Sequence, residues 1–217
     1  MTINILLVDD HKIIRDGLRS LLEKEKDMAV IAEAENGRDA VKLSRKHVPD
    51  IIVMDINMPD LNGVDAAELI LAENSGIRII ALSIHSTKRY VTRMLKAGAT
   101  GYLVKHCAYE ELADAIRSVA GNKPYLSSQI LDTVISDYTS HSSSGEISTL
   151  STLTSREREI LQLVAEGVKS ENIADRLFVS VKTVSSHRRA IMQKLNMYSV
   201  AELTRYAIRE GLVSLEY

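Results

Sequence analysis

The sequence predicts an α/β domain built on a parallel sheet, followed by a small all-helical domain. Three observations carry this. Between Thr2 and about Asn122, five short apolar runs alternate with five amphipathic stretches, the pattern of strands and helices in a sheet covered on both faces. Two of those runs, Ile5–Val8 and Ile51–Met54, end in carboxylates, Asp9-Asp10 and Asp55. Beyond residue 150 the strand-like runs stop and helix-start signals recur.

A length of 217 residues suits two domains. With 45% hydrophobic and 26% charged residues the chain has an ordinary globular composition. It has no Trp and one Phe, so its cores should be aliphatic. The opening residues lack the basic stretch and long apolar run of a signal peptide. No segment approaches the ~20 apolar residues of a membrane span. Cys107, the single cysteine, cannot form an internal disulfide and reads as a packing residue. These features point to a cytoplasmic protein with no membrane partner. The net charge of −2 excludes a uniformly basic coat. The acidic excess lies in residues 1–150, and a slight basic excess after them permits nucleic-acid contact there.

Strands are expected at Ile3–Val8, Met28–Ala34, Ile51–Met54, Ile77–Leu82 and Gly101–Val104, and helices over 12–25, 37–47, 64–73, 87–97 and 109–120. Right-handed crossovers leave few topologies, and the flavodoxin-like doubly wound order 2-1-3-4-5 is the commonest for five strands. This domain spans 1–122, where Asn122-Lys123-Pro124 stops the fifth helix. Residues 123–150 read as a linker. Within it a helix near 127–138, with Ile130, Leu131, Val134 and Ile135 as its stripe, precedes a serine-rich tether over 139–146. The second domain spans 151–217, with helices near 155–166, 171–177, 181–195 and 200–210. Thr154 with Glu157, and Ser199 with Glu202, form capping boxes. Ser170 and Ser180 suit simple N-caps, and Gly167 and Gly211 suit helix ends.

In that strand order, strands 3, 1, 4 and 5 bring Asp55, Asp9, Asp10, Ser83 and Lys105 to the carboxyl edge of the sheet, where open α/β sheets bind ligands. Three crowded carboxylates repel one another unless a cation sits among them. An all-oxygen set suits Mg²⁺, which commonly brings phosphate with it. The lysine and the serine hydroxyl can meet an incoming phosphoryl group, and an aspartate can accept one. A strand-end Asp taken alone is as readily a cap or a solvated turn; the complete set is what argues for chemistry. Asp60 and Asp65 read as solvated or capping, His11 as the start of a helix, and His47 and His106 as surface residues. The Asp55-x-Asn57 spacing also resembles an aspartyl-phosphate phosphatase loop, but such enzymes use an acid where this chain has Asn57.

The matching pieces are Val8-Asp9-Asp10-His11, Met54-Asp55-Ile56-Asn57-Met58-Pro59, Gly63, Ala81-Leu82-Ser83 and the run from Ala97 to Lys105. Through them residues 1–120 resemble the receiver domain of a bacterial two-component response regulator. The resemblance implies that a partner histidine kinase phosphorylates Asp55. It implies that Asp9, Asp10, Asp55 and the backbone carbonyl of Asn57 hold Mg²⁺, that Ser83 and Lys105 sense the phosphoryl group, and that Tyr102 changes rotamer as Ser83 moves. Asn57 and His85 would flank the attacking water and tune dephosphorylation. The chain departs from the family at His106, where proline is common. The resemblance implies no enzyme beyond the receiver's own phosphoryl transfer and dephosphorylation.

In the second domain, Ile173–Leu177, the turn Phe178-Val179-Ser180 and the helix from Val181 to Leu195 form a helix-turn-helix pattern. Val184, Ile191 and Leu195 share one face of the last helix, while Lys182, Ser185, Ser186, Arg189 and Gln193 spread over the other, which has no acid. Periodicity alone fits equally a generic helical module with a solvated face. The run Leu153-Thr154-x-Arg156-Glu157-x-Glu159-Ile160-Leu161, with Ser180-Val181-Lys182-Thr183-Val184-x-x-His187 and Ile191-x-x-Lys194-Leu195, resembles the LuxR-type effector domain of NarL/FixJ-type regulators. By that resemblance the 181–195 helix enters the major groove of double-stranded promoter DNA. Lys182 and Thr183 would hold phosphates, Ser185, Ser186 and Arg189 would face bases, and Lys194 would reach the DNA backbone. Arg188 fits either a phosphate contact or an intramolecular one. Serine at 185, where the family often has lysine, should make the salt dependence shallower. The 200–210 helix carries a stripe of Val200, Leu203, Tyr206 and Ala207 that would pack on the helix-turn-helix; by the same resemblance this helix would also pair two copies into a homodimer on DNA. The expected protein is a phosphorylation-dependent transcription regulator; the rival readings are a Mg²⁺-dependent phosphatase and a scaffold that is never phosphorylated.

Overall fold

The computed structural model describes residues 2–84, 86–131 and 149–213, in two compact units, Met1–Ser143 and Ser144–Tyr217. The first unit alternates β1 (Ile3–Val8), α1 (Lys12–Leu22), β2 (Met28–Ala34), α2 (Gly37–His47), β3 (Ile51–Asp55), α3 (Gly63–Glu73), β4 (Arg78–Ser83), α4 (Lys88–Lys96), β5 (Gly101–Val104) and α5 (Ala108–Ala120). All strand pairs are parallel, and β2-β1-β3-β4-β5 is the doubly wound order expected from the sequence.

The sheet has six strands, however, not five. A two-residue β6 (Tyr125–Leu126) pairs beside β5. After Pro124 the Tyr125 amide donates to Thr100 O at 3.1 Å, and the Ser127 amide donates to Tyr102 O at 3.1 Å. Two residues are too short to show alternation, so this strand leaves no periodic trace in the sequence. It covers part of an edge that would otherwise be open to another chain. Residues 128–131 are helical. The rest of the helix expected near 127–138, and the serine-rich tether, lie outside the described residues.

Burial alternates along the central strands. Leu6, Val8, Ile52, Met54, Ile79 and Ala81 pack with Ala40, Ala66, Ile70, Val91 and Met94, so α2, α3 and α4 cover one face. Ile5, Leu7, Ile51, Val53, Ile80 and Leu82 pack with Leu18, Leu22, Leu112 and Ile116, so α1 and α5 cover the other. Each buried aliphatic side chain contributes about 1.5–3 kcal/mol, and Tyr102, which packs in the first of these layers, is fully buried. No helix among the described residues is long and apolar enough to cross a membrane.

In the second unit, α6 (Ser155–Ala165), α7 (Ser170–Leu177), α8 (Val181–Leu195) and α9 (Val200–Arg209) follow a 3-10 turn, Thr149–Thr152. Both capping boxes form, and Ser180 Oγ accepts the Thr183 amide at 3.0 Å. Ser170 is not a cap. The chain leaves α6 through left-handed Gly167 (φ 79°), with the Val168 amide donating back to Leu163 O. That turn leaves Lys169 extended in the capping position, without a side-chain bond, and makes Ser170 the first helical residue. Ile160, Leu161, Ile173, Leu177, Val184, Ile191, Leu203, Tyr206 and Ala207 form the core. Val200 does not join the expected α9 stripe; it stays 43% exposed.

Candidate functional site

Register places the acids together. Val8 of β1 lies opposite Met54 of β3, so Asp9 and Asp55 leave the sheet side by side. Asp55 pairs with Leu82, one residue before Ser83, and Ser83 pairs with Val104, one residue before Lys105. Lys105, in a 3-10 turn after β5, bridges the carboxylates: its Nζ lies 2.7 Å from Asp9 Oδ2 and 3.0 Å from Asp55 Oδ2. The other Asp55 oxygen accepts the Ile56 amide at 2.7 Å.

Asp55 is 4% exposed. Burial pushes its carboxyl up to about 7, Lys105 pulls it down, and the charges of Asp9 and Asp10 raise it again. Lys105 loses hydration by burial, but Asp55 and Asp9 hold its ammonium above the ordinary lysine value. Ser83 and Tyr102, both buried, share a hydrogen bond. Burial also raises the Tyr102 phenol well above its usual range. The rotamer change expected of Tyr102 as Ser83 moves therefore starts from side chains already in contact.

One ligand atom from each of Asp9, Asp10, His11 and Asp55 falls within 4.8 Å of the others. Asn57, two residues past Asp55, is half-buried, and its Oδ1 is buried with no hydrogen-bond partner among the described residues. Clustered anionic oxygens and a spare amide oxygen fit a hard divalent cation. The cation would relieve the mutual repulsion that helps to raise the Asp55 carboxyl.

The surroundings correct two sequence expectations and explain a third residue. His11 does precede α1, but its Nδ1 lies 2.9 Å from Asp10 Oδ1 and 3.3 Å from Asp9 Oδ1, so it belongs to the acidic cluster. Asp65 is not solvated. It is 2% exposed, accepts a hydrogen bond from Asn62 Nδ2 at 2.8 Å, and follows Asn62, the true N-cap of α3. Gly63, quoted only as part of a motif, has a steric reason: a Cβ there would collide with the Asp55 carbonyl oxygen. A hydrophobicity pattern cannot reveal such a backbone-to-backbone approach. Asp60 adopts a left-handed backbone (φ 67°) in the loop between, His106 is exposed, and His85 lies outside the described residues.

On α8, Lys182, Ser185, Ser186, Arg189 and Gln193 are exposed, as the helical period expects, and Arg188 is half-buried. The first turn carries no acid, so the positive end of the helix dipole is uncompensated. Thr183 is half-buried and its hydroxyl lies 2.8 Å from Ser180 Oγ, inside the cap. Lys194 also has partners within the fold. Its ammonium donates to Glu157 Oε2 at 2.7 Å and to Thr152 O at 3.4 Å, which ties the end of α8 to the start of α6. It is spent on the framework, because the 5%-exposed Glu157 needs a cation partner. Arg156 is similar: it donates to Glu159 Oε2 at 2.6 Å and to Leu177 O at 2.7 Å, at the end of α7.

Two family models match the chain, one described as the response regulator receiver domain, over residues 5–117, and one as bacterial regulatory proteins of the luxR family, over residues 151–207. The chain is 37% identical to the response regulator UvrY of Escherichia coli (strain K12), covering 99% of this chain and 97% of the relative. It is 35% identical to the transcriptional regulatory protein DegU of Brevibacillus brevis, covering 98% and 96%. Among solved structures, a LuxR-family two-component response regulator from Aurantimonas sp. SI85-9A1 is 33% identical, with a TM-score of 0.62 over 64% of this chain and 99% of that one.

Proposed function

The chain belongs to the two-component response regulators of the NarL/FixJ type, which join a receiver domain to a LuxR-type DNA-binding domain, and on that premise we propose that phosphorylation of Asp55 controls its binding to promoter DNA. Residues 1–122 act as the receiver, 123–150 as the linker and 151–217 as the DNA-binding domain. The observation that carries the reading is the Lys105 ammonium held between Asp9 and Asp55, with Asp10 beside them.

In the reaction, a carboxylate oxygen of Asp55 attacks phosphorus on the phosphohistidine of a sensor kinase. The P–N bond breaks as the P–O bond forms. Mg²⁺, when bound, supplies positive charge to the transferring group. Asp9, Asp10, Asp55 and the Asn57 carbonyl would hold it. Lys105 turns from the carboxylates towards the phosphoryl oxygens, and Ser83 donates a hydrogen bond to one of them. Tyr102 follows Ser83 and carries the change to the face formed by α4 and β5. Water later attacks the acyl phosphate beside Asn57, and no further substrate is turned over. The protein acts in the cytoplasm.

The α8 face reads DNA. Lys182 and Thr183, at the N-terminal end of the helix, meet phosphates, while Ser185, Ser186 and Arg189 meet base edges. Lys194 is withdrawn from this set by its bond to Glu157. The exposed Val200 on α9 supports a pairing face for a homodimer, which raises the effective concentration of the second reading helix.

The test couples both parts. Incubation with Mg²⁺ and acetyl phosphate should give acid-labile phosphate on the wild type and none on Asp55→Ala, and should tighten promoter binding only in the wild type. Labelling that persists in Asp55→Ala moves the acceptor elsewhere. Promoter affinity that ignores phosphorylation removes the switch.

A further inference from the structure

Every polar group of Asp9 is held. Its amide donates to Ala34 O at 3.2 Å, its Oδ1 accepts the His11 amide at 2.9 Å, and its Oδ2 faces Lys105. The remaining group, the backbone carbonyl, accepts a 2.6 Å hydrogen bond from Arg15 Nη1. Arg15 comes from the first turn of α1, and its side chain is only 6% exposed. Its other arm donates to Glu35 Oε1 at 2.8 Å, and its Nε lies 3.5 Å from Glu33 Oε2.

A buried guanidinium is a costly way to fill space, and an aliphatic side chain would pack α1 against the sheet without that cost. What an aliphatic residue cannot do is grip a carbonyl. The carbonyl of Asp9 belongs to the peptide that joins Asp9 to Asp10, so its orientation sets the direction in which Asp10 leaves the backbone. Asp10 has little else to aim it. Its side chain is 29% exposed, and its Oδ1 lies 2.9 Å from Nδ1 of His11, itself 64% exposed. Glu33, near the end of β2, and Glu35, just past it, balance the Arg15 charge and keep the fork pointed at the peptide.

We propose that Arg15 is a positioning residue for the divalent-cation site, acting through the Asp9 carbonyl to orient Asp10. This rests on the reading of Asp9, Asp10 and Asp55 as Mg²⁺ ligands. Groups that orient metal ligands typically change metal affinity by ~10–100-fold when removed.

The measurement is calorimetric titration of Mg²⁺ alone into the full-length chain, paired with urea unfolding in EDTA. Arg15→Met should weaken Mg²⁺ binding about tenfold. Arg19→Met is the control, because Arg19 pairs with Glu23 and with the same Glu33 but does not touch Asp9. It should leave Mg²⁺ affinity at the wild-type value. Arg15→Lys, which keeps the charge and loses the fork, should fall between wild type and Arg15→Met, and it carries the test if Arg15→Met does not fold. A variant of Arg15 that loses stability in EDTA yet binds Mg²⁺ as tightly as the wild type overturns the proposal and leaves a merely structural arginine. Wild-type protein that binds no Mg²⁺ overturns the functional reading of the acidic site as well, so the two failures are distinguishable.

Discussion

The acidic edge of the first unit and the exposed face of α8 are built on opposite principles. At the edge, side chains from the ends of β1, β3, β4 and β5 converge, and Asp9, Asp55 and Ser83 are almost wholly buried. On α8 the proposed DNA contacts come from one helix, and all but half-buried Thr183 lie in water. Charges gathered in a low-dielectric pocket oppose folding unless each has a partner. Such a cluster therefore signals chemistry by its cost. Exposed Lys182 and Arg189 cost little and signal little by themselves. In the second unit the buried charges belong to the scaffold: Glu157 with Lys194, and Glu159 with Arg156. The lesson is that burial marks the working groups in one unit and the supporting groups in the other.

The largest test attacks the convergence itself. Gly63→Ala would drive a Cβ into the Asp55 carbonyl oxygen, against backbone that cannot rotate away. It would also strain the Gly63 amide bond to Ile56 O, now 2.8 Å. A loss of at least about 3 kcal/mol is expected in urea unfolding, at the upper end for overpacking, with failure to take up phosphate from acetyl phosphate. A variant of wild-type stability would mean that the loop yields, and that the site is less tightly built than its burial implies.

The matching test in the second unit removes a supporting charge. Glu157 Oε2 accepts from the Thr154 amide, the Thr154 hydroxyl and Lys194 Nζ, at 2.8, 3.1 and 2.7 Å. Together these bonds hold its carboxyl below the usual range despite burial. Glu157→Ala should destabilise the second unit by about 2 kcal/mol, from a lost cap and a stranded lysine. Hydrogen exchange should localise the change to α6 and the end of α8 and leave β1–β5 protected. Spreading of the change into the sheet would contradict the assignment of this pair to one unit's framework.

What could be read from the sequence follows the same division. The strands of the sheet, the acids that end them and the 181–195 helix were legible because period and spacing report burial directly. Ile3–Val8, Met28–Ala34 and Gly101–Val104 form with the expected bounds. Illegible features depend on where a single atom goes. Asn62 caps α3 instead of the more conspicuous Asp65, since only the loop geometry decides which oxygen reaches Val64 and Asp65 amides. The partner of Lys194 lies 37 residues upstream, beyond any helical spacing rule. His11 looked like a helix start and was one, yet its imidazole turns towards the acids, a choice among rotamers that spacing does not encode.

A smaller effect separates charge from packing at the acidic edge. Burial and the neighbouring acids raise the Asp55 carboxyl to about 7 in the folded chain, against about 3.9 unfolded. Between those values the folded state binds the extra proton, so stability falls as pH rises through the window. Above it, the buried carboxylate is a net cost even after its attraction to Lys105. Asp55→Asn should therefore raise the urea midpoint in EDTA at pH 8 and change it little near pH 4. Mg²⁺, which binds the ionised form, should narrow the gap at pH 8. An equal gain at both pH values would trace the effect to packing.

The finest test sharpens the contrast between working and supporting cations on a single helix. Lys182 and Lys194 both lie on α8 and both count as exposed. Lys182 stands at the uncompensated N-terminal end, whereas Lys194 is bonded to Glu157 at the other end. A lysine that neutralises a DNA phosphate contributes about one unit to the slope of log K against log salt. Lys182→Met should lower that slope by about one and weaken binding to all sequences alike. Lys194→Met should leave the slope unchanged and lower the thermal midpoint instead, because the charge it removes is already paired within the fold. Equal slopes for the two variants would place Lys194 on the DNA after all, released from Glu157 when the complex forms.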